Sequence, residues 1–213
     1  MLYHKINSIF KRDMTKPNKP MVMGDFSTPE LAFLADAVWY FTEKIDGMNM
    51  RIMWDGSKVS FGGRTDNANL PGNLVKRLTE RFVDKDSPLY VDLDKVFGVN
   101  PAVMYGEGYG AGIQSGGYYR KDQDFILFDV FINNYWLNHS DVEEIAKTCG
   151  LPIAPVVGCG TLYDGVDMVK GGMKSSICEG PSEGVIARPM VQMFDRYGHR
   201  IITKIKCVDW RGL

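Results

Sequence analysis

Val38-Trp39-Tyr40-Phe41-Thr42-Glu43-Lys44-Ile45-Asp46-Gly47 is the stretch from which the chain is best read. Residues 38–43 are dense in β-branched and aromatic side chains, which predicts a strand, and Asp46-Gly47 predicts a tight turn after it. The strand thus carries a primary amine, Lys44, to a turn, where Gly47 lets another backbone come close. Downstream, residues 49–54 and 58–61 bracket Asp55-Gly56 as a hairpin. Residues 103–105 and 125–132 read as strands around a glycine-rich connection, and 185–187 and 201–205 as the closing strands.

Helices are expected at four places. Ser27-Thr28-Pro29-Glu30 supplies an N-cap, a proline and a first-turn acid for a helix over residues 31–36. Residues 74–82 place Leu74, Leu78 and Phe82 on one helical face. Residues 141–148 follow Ser140 as a cap and stop at Gly150-Leu151-Pro152, and residues 161–170 are helical as well. The sum is an α+β fold built on antiparallel sheets with flanking helices.

At 213 residues and 45% hydrophobic, the chain can bury one sizeable core, so the expectation is a single domain, 1–213. A net charge of −1 excludes a surface that is basic all over and leaves room for a local basic groove. No run of about 18 apolar residues is present, and the start, Met1-Leu2-Tyr3-His4-Lys5-Ile6-Asn7, lacks the apolar core of a secretory signal. A cytosolic monomer with no membrane partner is expected. Cys149, Cys159, Cys178 and Cys207 form no C-x-x-C and read as reduced thiols; their spacing to His4, His139 or His199 gives little support for zinc.

A lone K-x-D-G arises by chance in roughly a few such sequences per hundred. Here it is followed in order by Gly62-Gly63-Arg64-Thr65-Asp66, Tyr105-Gly106-Glu107-Gly108-Tyr109-Gly110, Leu127-Phe128-Asp129-Val130, Glu183-Gly184-Val185-Ile186-Ala187-Arg188-Pro189 and Thr203-Lys204-Ile205-Lys206. Two other glycine patterns are decoys. Gly106-x-Gly108-x-x-Ala111 must open a helix to bind a dinucleotide, yet Gly112-Ile113-Gln114-Ser115-Gly116-Gly117 follows, which is poor in helix formers. Lys170-Gly171-Gly172-Met173-Lys174-Ser175 lacks the spacing of a phosphate loop.

The ordered motifs, with Phe10-Lys11-Arg12-Asp13 and residues 200–206 as flanks, resemble the covalent nucleotidyltransferase superfamily of DNA ligases, RNA ligases and capping enzymes. The closer likeness is to RNA ligases of the phage type that seals nicks in duplex RNA. It spans nearly the whole chain, although the sequence ends at Leu213, where many relatives continue into a nucleic-acid-binding domain. The resemblance implies a ligase-type nucleotidyltransferase (adenylation) domain acting in a phage-infected or bacterial cytosol. It would use ATP with Mg²⁺ or Mn²⁺ to join 5′-phosphate and 3′-hydroxyl ends of RNA through lysyl-AMP and an adenylylated end. A small DNA ligase and a non-catalytic nucleotide-binding module are the alternatives.

The same resemblance gives Lys44 the role of nucleophile and assigns Arg64 and Glu107 to the ribose and Phe128 to stacking on adenine. From the residues themselves, the period of two places Lys204 and Lys206 on one strand face, suited to an α-phosphate. Strand parity then puts Glu183, a candidate metal ligand, on the face of Val185, which would pack on adenine. Asp46 would orient the turn or help position phosphate and metal, and Glu43 would offer backbone contacts to the base edge. Lys5, Lys11 and Arg12 are the candidate RNA phosphate contacts.

Overall fold

The computed structural model describes residues 1–210. In chain order the elements are β1 (Asn7–Ser8), β2 (Phe10–Arg12), β3 (Met21–Phe26), α1 (Pro29–Phe33), β4 (Trp39–Lys44), β5 (Met48–Trp54), β6 (Val59–Gly63), α2 (Gly72–Phe82), α3 (Leu93–Phe97), β7 (Ala102–Gly110), β8 (Gln123–Ile132), β9 (Tyr135–Trp136), α4 (His139–Thr148), β10 (Val156–Gly160), α5 (Leu162–Lys170), β11 (Gly184–Pro189) and β12 (Thr203–Lys206). Mixed α and β structure on antiparallel sheets is the class that the strand and helix patterns of the sequence imply.

The chain divides into two compact units, and each has its own core where one was expected. One unit comprises Met1–Tyr3 and Asp46–Ala154; the other comprises His4–Ile45 and the chain from Pro155 onward. In the first, a five-stranded antiparallel sheet of order β6-β5-β7-β8-β9 buries Met50, Ile52, Met104, Phe125 and Leu127 with Leu74, Leu78 and Phe82 of α2 and Val142 and Ala146 of α4. Each residue of this kind contributes about 1.5–3 kcal/mol when fully buried. In the second, the sheet β1-β12-β11-β4-β10 buries Trp39, Phe41, Val185, Ala187 and Ile205 against Leu162, Val166 and Val169 of α5.

The hairpin at Asp55-Gly56 forms as expected, with Met50 to Trp54 paired to Val59 to Gly63 and Gly56 at φ +100°. α5 begins on a capping box between Thr161 and Asp164. α1 is shorter than its pattern, five residues, because Leu34 leaves helical geometry; Thr28 is its cap. α4 starts two residues before residue 141, and its N-cap is Asn138, not Ser140. β10 and α3 were not anticipated: Val156-Val157-Gly158-Cys159-Gly160 is too glycine-rich, and α3 too short, for periodicity to register. Among the described residues, no helix is long and apolar enough to cross a membrane.

Candidate active site

Cross-strand register assembles the site in the second unit. Lys44 on β4 pairs with Gly184 on β11, Gly184 pairs with Lys206 on β12, and Lys204 pairs with Ile186. Paired residues share a sheet face, so the three lysines and Ile186 project together, while Phe41, Glu43, Val185, Ala187 and Ile205 project to the other side. The inferred period of two for Lys204 and Lys206 is visible as half-buried lysines alternating with buried Thr203 and Ile205.

Glu183 closes the cluster. Its Oε2 accepts from Lys44 Nζ at 2.5 Å and its Oε1 from Lys206 Nζ at 2.6 Å. Strand parity fails for this residue. β11 begins at Gly184, whose φ of +146° lies where L side chains rarely go, and a Cβ there would stand 2.1 Å from the Ile205 carbonyl oxygen. That turn puts the Glu183 carboxylate on the lysine face and leaves Val185 behind. Val185 is 0% exposed and packed in the core, so the structure corrects the expectation that it packs on adenine; Ile186 is the apolar residue beside the lysines. The Glu183 backbone is held where its carbonyl accepts from Cys207 N–H at 2.9 Å.

The charges act on one another. Burial opposes the ionised Glu183 carboxylate, and the attraction and hydrogen bonds of Lys44 and Lys206 overcome it, holding its pKa below the ordinary value. Lys204 is pushed the other way: burial, then the ammonium groups of Lys44 and Lys206, lower its pKa, with Lys5 adding to the repulsion.

Glu43, one residue before Lys44, is anchored through both its backbone and its side chain. Its amide donates to Pro155 O at 2.9 Å. Its side chain, 1% exposed, accepts at Oε2 from Ser176 N–H (2.8 Å) and Oγ–H (2.6 Å). Ser176 lies in the loop closed by the Lys174–Pro181 bridge, which leads into Glu183. The carboxylate thus fastens the segment that delivers the site's own acid. No motif marked Ser176; only the fold brings it across 133 residues to Glu43.

Lys11 and Arg12 are on β2 and are occupied. Lys11 Nζ bonds Asp25 at 2.6 Å, and Arg12 bonds Asp209 at 2.5 Å and the Lys19 carbonyl at 3.1 Å. Both residues expected to contact phosphate make intramolecular ion pairs, with the Lys11 side chain 57% exposed. Lys5 is exposed.

The other expected site residues belong to the first unit. Asp46 donates its backbone N–H to the Tyr119 hydroxyl at 3.2 Å, and Gly47 packs so closely that a Cβ would stand 2.2 Å from Gly108 O. Glu107 is half-buried on β7 opposite Asn49. Phe128 is the extra residue of a β-bulge: Tyr105 pairs with Asp129 and Gly106 with Leu127, leaving Phe128 between them. The bulge leaves its ring half-buried between buried neighbours, with Tyr3 edge-on at 5.2 Å.

Arg64 is exposed just beyond β6, and the loop carrying it hangs on Arg51. That guanidinium is 2% exposed, donating from Nε to Gly63 O at 2.8 Å and from Nη2 to Asp66 at 2.7 Å. Gly62 is glycine because a Cβ there would stand 2.8 Å from Arg51 Nη2. An arginine in the middle of a β-strand gave no warning of this role.

Among the described residues, no group of three or more His, Cys, Asp or Glu side chains could hold a metal ion. Glu183 is thus a lone carboxylate among lysines. That donor set fits a hard divalent cation that takes its remaining ligands from phosphate oxygens and water, and does not fit an all-protein cage.

Solved structures of Naegleria gruberi RNA ligase are similar. One with pyrophosphate and a lysine-to-alanine mutant with ATP and manganese each have TM-score 0.61 and 16% identity over 84% of this chain and 52% of theirs. A further lysine-to-alanine mutant, without ligand, has TM-score 0.60 and 15% identity over 96% of this chain and 61% of its own. At such identities the likeness shows the fold, and the chain spans about half to three-fifths of the length of these structures. No curated protein matches the sequence. Residues 37–206 match the RNA ligase family, which covers every strand of the lysine-bearing sheet except β1, and the chain belongs to that family.

Proposed function

We propose that this protein is an ATP-dependent RNA ligase of the nick-sealing type found in phages, with the two units together forming one adenylation domain. The observation that carries the reading is Glu183 bridging Lys44 and Lys206, with Lys204 on the same sheet face. Three ammonium groups around one carboxylate suit a triphosphate and its transferring phosphoryl group, where positioning and charge neutralisation supply most of the catalysis.

In the first step Lys44 Nζ attacks the α-phosphorus of ATP. The N–P bond forms, the bond to the bridging α–β oxygen breaks, and pyrophosphate leaves with that electron pair. The Lys44 ammonium gives one proton to solvent to free its lone pair, still able to face Glu183 with an N–H. The nitrogen of the new N–P bond gives a second proton to the departing pyrophosphate. Lys204 and Lys206 then face the α-phosphate oxygens as fixed positive charges. A divalent metal ion held at Glu183 would supply further charge neutralisation on the phosphates when bound. Next, an oxygen of an RNA 5′-phosphate attacks the lysyl-AMP phosphorus and the N–P bond breaks. Finally, a 3′-hydroxyl attacks the activated 5′-phosphate, forming the phosphodiester and releasing AMP. For Arg64 and Glu107 the proposed partner is the ribose, and for Phe128 the adenine. Asp46 is proposed to steady the turn after Lys44.

The test is incubation of the pure protein with ATP and Mg²⁺ followed by intact mass. A gain of one AMP that maps to Lys44, and then sealing of nicked RNA, is the expected result. A protein that gains no AMP under either Mg²⁺ or Mn²⁺ overturns the reading, and sealing of nicked DNA alone would overturn its RNA part.

A further inference from the structure

The expected RNA contacts on β2 make ion pairs, and a different element of the same unit presents exposed aromatic and cationic side chains. Between β11 and β12 the chain forms a short hairpin, Phe194-Asp195-Arg196-Tyr197-Gly198-His199-Arg200. Phe194 bridges Arg200, Asp195 N–H donates to His199 O at 2.8 Å, and Gly198 N–H donates to Asp195 O at 3.0 Å, with Gly198 at φ +81°. This is a three-residue hairpin loop with glycine at its left-handed position. The Asp195 carboxylate is used inside it, accepting from the Tyr197 and His199 amides at 2.8 Å each and contacting the His199 ring at 3.0 Å.

The loop is therefore stiff, and it holds its tip side chains in solvent. Tyr197 is 69% exposed, and the Arg196 guanidinium lies 4.7 Å over its ring and donates to its hydroxyl. His199 is tilted against the same ring at 6.2 Å. At the base of the hairpin, Lys5, Glu30, Asp195, His199 and Arg200 line a cavity of about 330 Å³. Lys5 is also close enough to Lys204 to weigh on its charge. Lys5 at the cavity and Arg196 with Tyr197 at the tip are thus cationic and aromatic groups that this part of the unit presents to solvent.

We propose that this hairpin is an RNA-binding element, in which Tyr197 stacks on an unstacked base next to the ends being joined, and Arg196 and Lys5 contact phosphates. The inference rests on the RNA-ligase reading above. A large exposed aromatic in a folded loop contributes nothing to the core, and with the residue 69% exposed its ring surface is open to a base. Stacking on aromatics and cationic contacts to phosphate are how proteins hold single-stranded RNA segments. The rigid loop lowers the entropy lost when RNA binds.

The test uses the full chain and a fluorescent, 5′-phosphorylated nicked RNA duplex carrying a short single-stranded overhang, with affinity measured across a salt series. Tyr197→Ala is expected to weaken binding by about tenfold or more, as loss of one stacked base does. Tyr197→Phe, which keeps the ring, is expected to retain most of the affinity. Arg196→Ala should flatten the slope of log affinity against log salt by about 0.7–0.9. All three variants should form lysyl-AMP like the wild type and melt at the same temperature. Wild-type affinity and slope in both alanine variants would overturn the proposal, and a Tyr197→Phe as weak as Tyr197→Ala would overturn the stacking. RNA binding is also measured on protein never exposed to ATP, so a failure of lysyl-AMP formation would strike the ligase reading and leave this result readable.

Discussion

The two units are both five-stranded sheets with a helix-covered face, yet they furnish their functional faces in opposite ways. The second unit concentrates charge: Lys44, Lys204, Lys206 and Glu183 meet on one face, and each has its charge state shaped or its amine held by the others. The first unit removes side chains and places single groups. Gly47, Gly62, Gly106 and Gly108 sit where a Cβ would collide within 3 Å of a neighbour, a bulge sets Phe128, and one buried guanidinium suspends the Arg64 loop. The contrast separates a sheet that gathers charge from one that removes side chains, and substitutions in each should fail differently.

The largest expected effect is that of Lys44→Ala, which should abolish AMP attachment by intact mass. Its melting temperature should stay close to wild type, because Glu183 keeps its bond to Lys206. Lys44→Arg should be equally inactive, since a guanidinium stays protonated. AMP attachment at another residue in either variant would break the comparison at its centre.

Glu183→Gln comes next. It should slow adenylylation by about 10²–10³-fold, the usual effect of removing one group that acts on transition-state charge. It should also change the pH dependence of stability. The folded carboxylate has its pKa lowered from a value of about 4.3 in the unfolded chain. Its contribution is therefore fully present above about pH 4.3 and lost as pH falls through the lower folded value. Thermal melts from pH 6 to pH 2 should show wild type losing this stability and Glu183→Gln lacking that component. Identical profiles would mean that the three-lysine cluster does not depend on the acid.

A first-unit substitution should act through shape. Arg51→Met leaves the Gly63 carbonyl without its buried donor and should cost about 1–3 kcal/mol in denaturant unfolding. If Arg64 grips the ribose, the apparent KM for ATP should rise more than kcat falls, whereas Glu183→Gln should act mainly on kcat. Arg51→Lys should not restore the loop, because one ammonium cannot replace a guanidinium that bonds Gly63 and Asp66 at once. An Arg51→Met protein with unchanged KM would show that the loop needs no anchor.

The smallest effect should be a gain. Lys204 is held near like charges and partly buried, which lowers its pKa, so its ammonium costs stability at neutral pH and the cost eases as pH rises toward its unfolded value. Lys204→Met keeps the stem and removes the charge, and should raise the melting temperature by about 1–4 °C while reducing adenylylation. A lower melting temperature would show that the lysine's contacts outweigh its repulsion.

What the sequence determined by itself was whatever depends on local backbone period and turn chemistry. Asp55-Gly56 made a hairpin, Leu74, Leu78 and Phe82 made the buried face of α2, and alternation put Lys204 and Lys206 on one face. The ordered motifs also marked Lys44 and Glu183, which the fold brings to 2.5 Å across 139 residues. The tertiary structure decided the rest. Whether Glu183 faced the core or the lysines hung on one glycine at φ +146°, and the parity rule holds only inside a regular strand. The partners of Glu43, Arg12 and Arg51 were set by packing, since an ion pair or a buried hydrogen bond needs only a few ångströms in space and leaves no period in the chain. Two cores replaced one because burial follows which sheet a segment joins, a choice made by register between distant strands and not by any segment's own composition.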